Sequence, residues 1–242
     1  MIGKGKSISH GTAALEYDLA KEIDGQTAAI EIARHELYGC TGAEMVQEMK
    51  PYHADFPNVK NNCLRFEVSP SIEESATFTD ADWAELGNDF MQRMGLANHQ
   101  YIIIRHSGTE SKKEQAHLHI LANRVSLSGE LYRDNWIGKK ATEAANAIAK
   151  ERNFVQSQDI GKANKAEIKE AMDDVLKKMQ GFDFTKFKEE LGKRGFKVRE
   201  ARASTGKLNG YYVTARSGTE YKASEIGKGY TLAHIERTQS KL

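Results

Sequence analysis

The chain has 242 residues, long enough for one large domain or two small ones, with 39% hydrophobic and 29% charged residues, the balance of a globular protein with a real core. A formal net charge of +1 means that bulk electrostatics name no partner. Cys40 and Cys63 are the two cysteines and belong to no Cys-x-x-Cys pair, which argues against a disulfide framework or a cysteine-based zinc site.

Residues 1–9 read as a short strand leading into a loop, without the apolar core of a signal peptide. No window approaches a membrane span, so the expectation is a cytoplasmic protein with no membrane insertion. Gly11 to Lys21 has helical character, with Ala13, Ala14 and Tyr17 on one side. Residues 26–31 suit a strand, Gly39-Cys40-Thr41-Gly42 a turn, and Ala43 to Met49 a helix. Cys63 to Ser69 alternates cleanly: Leu64, Phe66 and Val68 face one way, Arg65, Glu67 and Ser69 the other, and Pro70 ends the strand. Thr79 and Asp82 have capping-box spacing before a periodic helix (Trp83, Leu86, Phe90, Met94) that Gly95 stops. Tyr101 to Val125 reads as a hairpin and Asn135 to Arg152 as a helix. Composition then shifts, and a loose boundary falls near residues 155–163. Beyond it come two helices, Asn164 to Gln180 and Phe184 to Arg194, then a hairpin of Phe196 to Ala203 and Tyr211 to Ala215. Strands and helices intermix without alternating one for one, which points to α+β with a mostly antiparallel sheet. The expected division is 1–158, carrying the chemistry, and 159–242, a helix and β-hairpin extension.

The hairpin holds the most informative residues. His117 and His119 share one face of a strand, while Leu118 and Ile120 pack on the other. His106 ends the preceding strand, and antiparallel pairing brings it beside them. Three neutral imidazoles with open coordination positions suit a divalent metal. A His-x-His on a strand is also read as two polar residues on a half-exposed face. Asn123 keeps the parity of the histidines and could contact a ligand or a phosphate, although a strand-end turn role is commoner. Glu110 and Glu114, in the loop beside the histidines, and Glu67, on a strand, are candidate carboxylates for the metal or for proton transfer. Tyr17 is a core residue on composition and a nucleophile on chemistry, since a phenol can attack phosphorus. Lys4, Lys6, Arg105, Lys112, Lys113 and Arg124 gather around the same motifs and suit phosphate contacts. Further on, Lys186, Lys188, Lys193, Arg194, Lys197, Arg199 and Arg202 interleave with Phe184, Phe187 and Phe196. That pattern fits a single-strand-binding surface, or, more simply, a helix–hairpin core.

Taken in order, these motifs resemble the relaxases, the three-histidine (HUH-type) mobilization nucleases of plasmids and integrative elements. Ala14-Leu15-Glu16-Tyr17, Phe66-Glu67-Val68-Ser69-Pro70, Met94-Gly95-Leu96 and Ile104-Arg105-His106 each have a counterpart in the family. His106 followed by His117-Leu118-His119 and then Asn123 is its His…His-x-His-x-x-x-Asn signature. The resemblance covers most of the chain and implies a central antiparallel sheet flanked by helices. It implies a DNA relaxase of the bacterial cytoplasm, with Tyr17 as nucleophile and a divalent metal, Mn²⁺ or Mg²⁺, on His106, His117 and His119. The implied substrate is single-stranded DNA at an origin of transfer, nicked and rejoined through a 5′-phosphotyrosine intermediate, with accessory mobilization proteins and a coupling apparatus as partners. Two departures stand out: Gly108 replaces the family's Asp two residues after His106, and Arg65 stands where a histidine is common. Glu110 or Glu114 could substitute for that Asp. The competing readings are a replication initiator or transposase of the same superclass, in which tyrosine usually follows the histidines, and a catalytically inactive DNA-binding module.

Overall fold

Strand alternation organises the first part of the molecule. The computed structural model describes residues 1–23, 25–107 and 115–239. In chain order it forms β1 (Ile2–Ile8), α1 (Gly11–Leu19), β2 (Glu22–Ile23), β3 (Gln26–Thr27), β4 (Ala29–His35), α2 (Gly42–Met49), β5 (Cys63–Ser69), α3 (Ile72–Ser75), α4 (Asp80–Arg93), β6 (His99–His106), β7 (His117–Ser126) and α5 (Ile137–Glu151). Five strands pair in the order β1-β5-β7-β6-β4, antiparallel throughout. This is the α+β architecture the sequence implies, with β7 at the centre and β6 beside it. The first strand after the small β2–β3 hairpin lies later than the 26–31 reading: β4 runs over Ala29–His35, with a bulge between Glu31 and Ala33.

Helices pack on both faces of the sheet, which is why the middle of β6, Tyr101 to Ile104, reads as a continuous apolar run. On one face Leu64, Phe66, Val68, Ile103, Leu118 and Ile120 pack against Trp83, Leu86 and Phe90 of α4 and Ala141, Ala145 and Ile148 of α5. On the other, Ile8, Cys63, Ile102, Ile104 and Leu121 pack against Ala14 and Leu15 of α1 and Met45, Val46 and Met49 of α2. Capping boxes start α2 (Thr41 with Glu44) and α4 (Thr79 with Asp82). Gly95, with φ 72°, follows α4 in the left-handed region. The helix expected from Asn135 begins two residues later, because Trp136 takes a left-handed φ of 59° that ends its approach.

The chain divides into two compact units, Met1–Ser157 and Gln158–Leu242. The helix α6 (Ser157–Lys178) starts well before Asn164, so the expected linker is largely helical. Asn146 Oδ1 accepts hydrogen bonds from Ser157 N and Oγ at its start. The second unit continues with α7 (Phe184–Lys193), β8 (Lys197–Arg202), β9 (Leu208–Thr214), β10 (Glu220–Lys222), α8 (Ala223–Ile226) and α9 (Leu232–Gln239). The expected hairpin is thus part of a three-stranded sheet, β10-β9-β8. Among the described residues no helix is long and apolar enough to cross a membrane.

Helix α5 approaches β1 very closely. A Cβ on Gly3 would lie 2.4 Å from the Ala141 carbonyl oxygen and 2.6 Å from Ala145 Cβ. Gly3→Ala should therefore push α5 off the sheet and cost about 1–3 kcal/mol in urea unfolding. A change under about 0.5 kcal/mol would show that this contact is not a constraint.

Candidate active site

The ladder registers assemble the site. His106 pairs with His117 across β6–β7, and Glu67 of β5 pairs with His119. Among the described residues, His106, His117 and His119 form a group whose potential ligand atoms lie within 4.8 Å of one another. Ring centroids are 4.4 Å apart for His106 and His119 and 4.9 Å for His117 and His119. Main-chain carbonyls set two of the tautomers. His106 Nε2 donates to Asp18 O at 2.7 Å, and His117 Nδ1 donates to Gln115 O at 2.9 Å. The lone pairs are therefore on His106 Nδ1, which is buried and has no partner among the described residues, and on His117 Nε2. His117 Nε2 lies 3.1 Å from His119 Nε2. For His119 to offer Nε2 as well, its proton must move to Nδ1, where Asp18 Oδ1 is 3.8 Å away. The set fits a divalent ion: an orphaned buried nitrogen, a second oriented lone pair and a third ring converge, and each imidazole binds a metal in its neutral form. Burial first, then the neighbouring His106, His117, Arg65 and Lys21 charges, pushes His119 down to about 2. Burial also lowers His106.

The helix carrying Tyr17 is attached to this group by the next residue. α1 buries Gly11, Ala14, Leu15 and Asp18, so Tyr17 is not on the apolar side with Ala14. Its ring is 65% exposed, which removes the core explanation for it. Asp18 is 2% exposed. Its carbonyl binds His106, and its carboxylate accepts from Arg65 Nε at 3.1 Å and Nη2 at 2.5 Å. Arg65 Nη2 also donates to His119 Nδ1 at 3.3 Å. Motif spacing did not single out Asp18, although a signal for it is present in the sequence. A charged residue at i+3 from Leu15 and i+4 from Ala14 falls on the apolar stripe, and a buried acid is the informative kind of exception.

The registers also sort the remaining candidates. Lys4 pairs with Glu67 and Lys6 with Arg65, so both lysines share the histidine face. Lys4 Nζ is 2.8 Å from Glu67 Oε1. A cavity of about 200 Å³ is lined there by Lys4, Lys6, Arg65, Glu67 and His119. Arg105 and Arg124 have the opposite parity and are not brought to the site. Arg105 Nη1 binds Asp80, and Arg124 is held by Asp134 and the carbonyls of Tyr132 and Asn61. Asn123 has the right parity but is completely buried. Its Nδ2 donates to Gln100 Oε1 and Met49 O, and its Oδ1 accepts from His53 Nε2 and Val125 N. It ties α2 and the following turn to β7 and closes that end of the face. Glu110 and Glu114, with Gly108, Lys112 and Lys113, lie outside the described residues. In the second unit Phe187 and Phe196 are buried core and Phe184 packs against it. Five of the basic residues nearby are paired: Lys188 and Arg202 with Glu200, Lys193 with Glu190, Arg199 with Glu220, Arg194 with Asp174.

Comparison with known proteins gives two findings. The family model described as relaxase, MobA/VirD2-like, nuclease domain matches residues 17–154. Among solved structures, one titled conjugative relaxase TrwC in complex with oriT DNA, metal-bound structure, is 12% identical, with a TM-score of 0.35 over 86% of this chain and 74% of that one. No curated protein matches.

The neutral state of His119 couples stability to pH. An unfolded histidine takes up its proton near pH 6.5, whereas the folded ring stays neutral down to about 2. Its contribution is therefore complete above pH 6.5 and is lost as pH falls through that window, by up to about 1.4 kcal/mol per pH unit. Urea unfolding in the presence of a chelator should show wild type losing stability between about pH 7 and about pH 5, with His119→Gln losing less. Equal losses in the two proteins would contradict the neutral, buried ring.

Proposed function

Since this chain belongs to the relaxase family through its MobA/VirD2-like nuclease domain, a family of DNA-cleaving enzymes, we propose that it nicks and rejoins single-stranded DNA at an origin of transfer, with Tyr17 as the nucleophile. The observation that carries this reading is the double attachment of Asp18: the residue next to Tyr17 is bonded through its carbonyl to His106 and through its carboxylate to Arg65 beside His119. An exposed phenol on a helix anchored to one of three converging imidazoles is an arrangement for phosphoryl transfer.

In this reading His106, His117 and His119 hold a divalent ion, which when bound polarises the scissile phosphate and offsets the charge that develops on its oxygens. Three imidazole nitrogens suit Mn²⁺ better than Mg²⁺, which prefers oxygen ligands. Tyr17 gives up its phenolic proton to solvent and its Oη bonds to phosphorus as the P–O3′ bond breaks. The departing 3′ oxygen takes up a proton. The products are a 5′-phosphotyrosine and a free 3′-hydroxyl, and the reverse attack reseals the strand. Lys4 and Lys6, exposed on the histidine face, suit contacts to flanking phosphates. The setting is the bacterial cytoplasm, with accessory mobilization proteins and a coupling apparatus as partners. Tyr17 precedes the histidines, an order that favours a relaxase over a replication initiator or a transposase.

Single-stranded oligonucleotides tiled across the DNA flanking the gene, incubated with Mn²⁺ or Mg²⁺, test the reading. Wild type should nick one of them and yield a denaturation-resistant protein–DNA adduct. Tyr17→Phe should lose the adduct and keep non-covalent binding. His117→Ala/His119→Ala should lose metal-dependent cleavage while remaining folded. An adduct persisting in Tyr17→Phe would move the nucleophile to another tyrosine, and full-rate cleavage by the double variant would remove the metal assignment. Binding with no cleavage under any condition would favour the inactive DNA-binding module.

A further inference from the structure

We propose that Arg65 is a phosphate-binding residue of the nicking reaction, its guanidinium held along one edge by Asp18 and offered to the DNA backbone along the other; the assignment rests on the relaxase reading above. Arg65 lies on the histidine face of β5, between Lys6 of β1 and Leu121 of β7 in register. Its Nε and Nη2 are both bonded to Asp18, and Nη2 also reaches His119 Nδ1. Nη1 has no protein partner among the described residues, and it is not among the buried polar atoms that lack one. The Arg65 side chain is 20% exposed and lines the cavity shared with Lys4, Lys6 and His119. Asp18 has almost no exposure, so the carboxylate must stay paired, and two parallel bonds fix the plane of the guanidinium.

That arrangement differs from an ordinary surface arginine. A mobile side chain would lose rotamer freedom on gripping a phosphate, whereas this one is already ordered by its carboxylate. A planar guanidinium presents donors along each of its edges, so one edge can serve Asp18 while another serves a phosphate oxygen. The ring of His119 borders it directly, so a phosphate oxygen reaching Nη1 would lie alongside the histidine cluster. Asp18 is then a positioning residue with two attachments: its carboxylate aims Arg65, and its carbonyl holds His106. The nucleophile's helix, the phosphate contact and one imidazole would be set in register by a single side chain and its peptide group.

The test uses binding rather than cleavage. A short oligodeoxythymidine is titrated, with chelator present, into wild type and into Asp18→Asn/Arg65→Gln at a series of salt concentrations. The double substitution removes one negative and one positive charge, so net charge is unchanged, and it leaves no buried charge unpaired. Loss of one phosphate contact should lower the slope of log affinity against log salt by about 0.7 for a single strand. A pair that only supports the fold would leave the slope as it is, and that result would overturn the assignment. If wild type binds no single-stranded DNA, the relaxase reading fails and the assignment falls with it. Should the double variant not fold, Arg65→Lys replaces it, keeping the charge but not the two-edged geometry. A several-fold loss of affinity would then support the assignment, and unchanged affinity would overturn it.

Discussion

The buried carboxylate of Asp18 is the constraint on which the site depends. A charge with so little solvent must be paired, and its partner, Arg65, comes from β5, a strand across the sheet face from α1. The pairing locks the rotation of α1 about its own axis. With Asp18 turned inward, Tyr17 at the preceding position has to face outward, and the Asp18 carbonyl at the end of the helix reaches His106. A solvated carboxylate in the same place would allow α1 to roll, and both attachments would loosen together.

The same sheet face then divides into a dry half and a wet half. Ile102, Ile104, Leu121 and Cys63 lie under α1 and α2, and Asn123 closes the far end with its amide fully engaged. The histidines sit toward the open end, beside Lys4 and Lys6 of the edge strand. Burial there is deep enough to keep His119 neutral and shallow enough to leave a cavity alongside it. Arg65 Nη2 stands 3.3 Å from that ring's Nδ1, closer than the Asp18 carboxylate at 3.8 Å. The closer cation disfavours protonation, so the imidazole stays in the neutral charge state a metal needs, although offering Nε2 to an ion still requires the ring proton to move to Nδ1.

The second unit follows a different logic. Its basic residues and phenylalanines look in sequence like a nucleic-acid surface, yet Phe184, Phe187 and Tyr211 pack together at its core and five of the seven cations pair with nearby carboxylates. In a small sheet-and-helix unit the large aromatic side chains pack into the interior beside Ile168, Met172 and Leu191, where they bury the most apolar surface. Composition cannot register that competition; packing resolves it.

The sequence alone determined whatever depends on local periodicity. The alternation of β5, the capping box of α4, and the His-x-His parity follow from neighbours within a few residues, and so does the α+β class. Local periodicity also placed His106 at a strand end, from which antiparallel pairing could bring it to the other two. Tertiary structure decided which charges are shared across distance. Arg105 and Arg124 seemed part of the site because they lie near the histidines in the chain, but strand residues of opposite parity point to opposite faces. Asp18 and Arg65 seemed unconnected, being 47 residues apart, and only the packing of α1 on the sheet joins them. Burial, not sequence separation, determines the cost of leaving a charge unpaired, and burial exists only once the chain is folded.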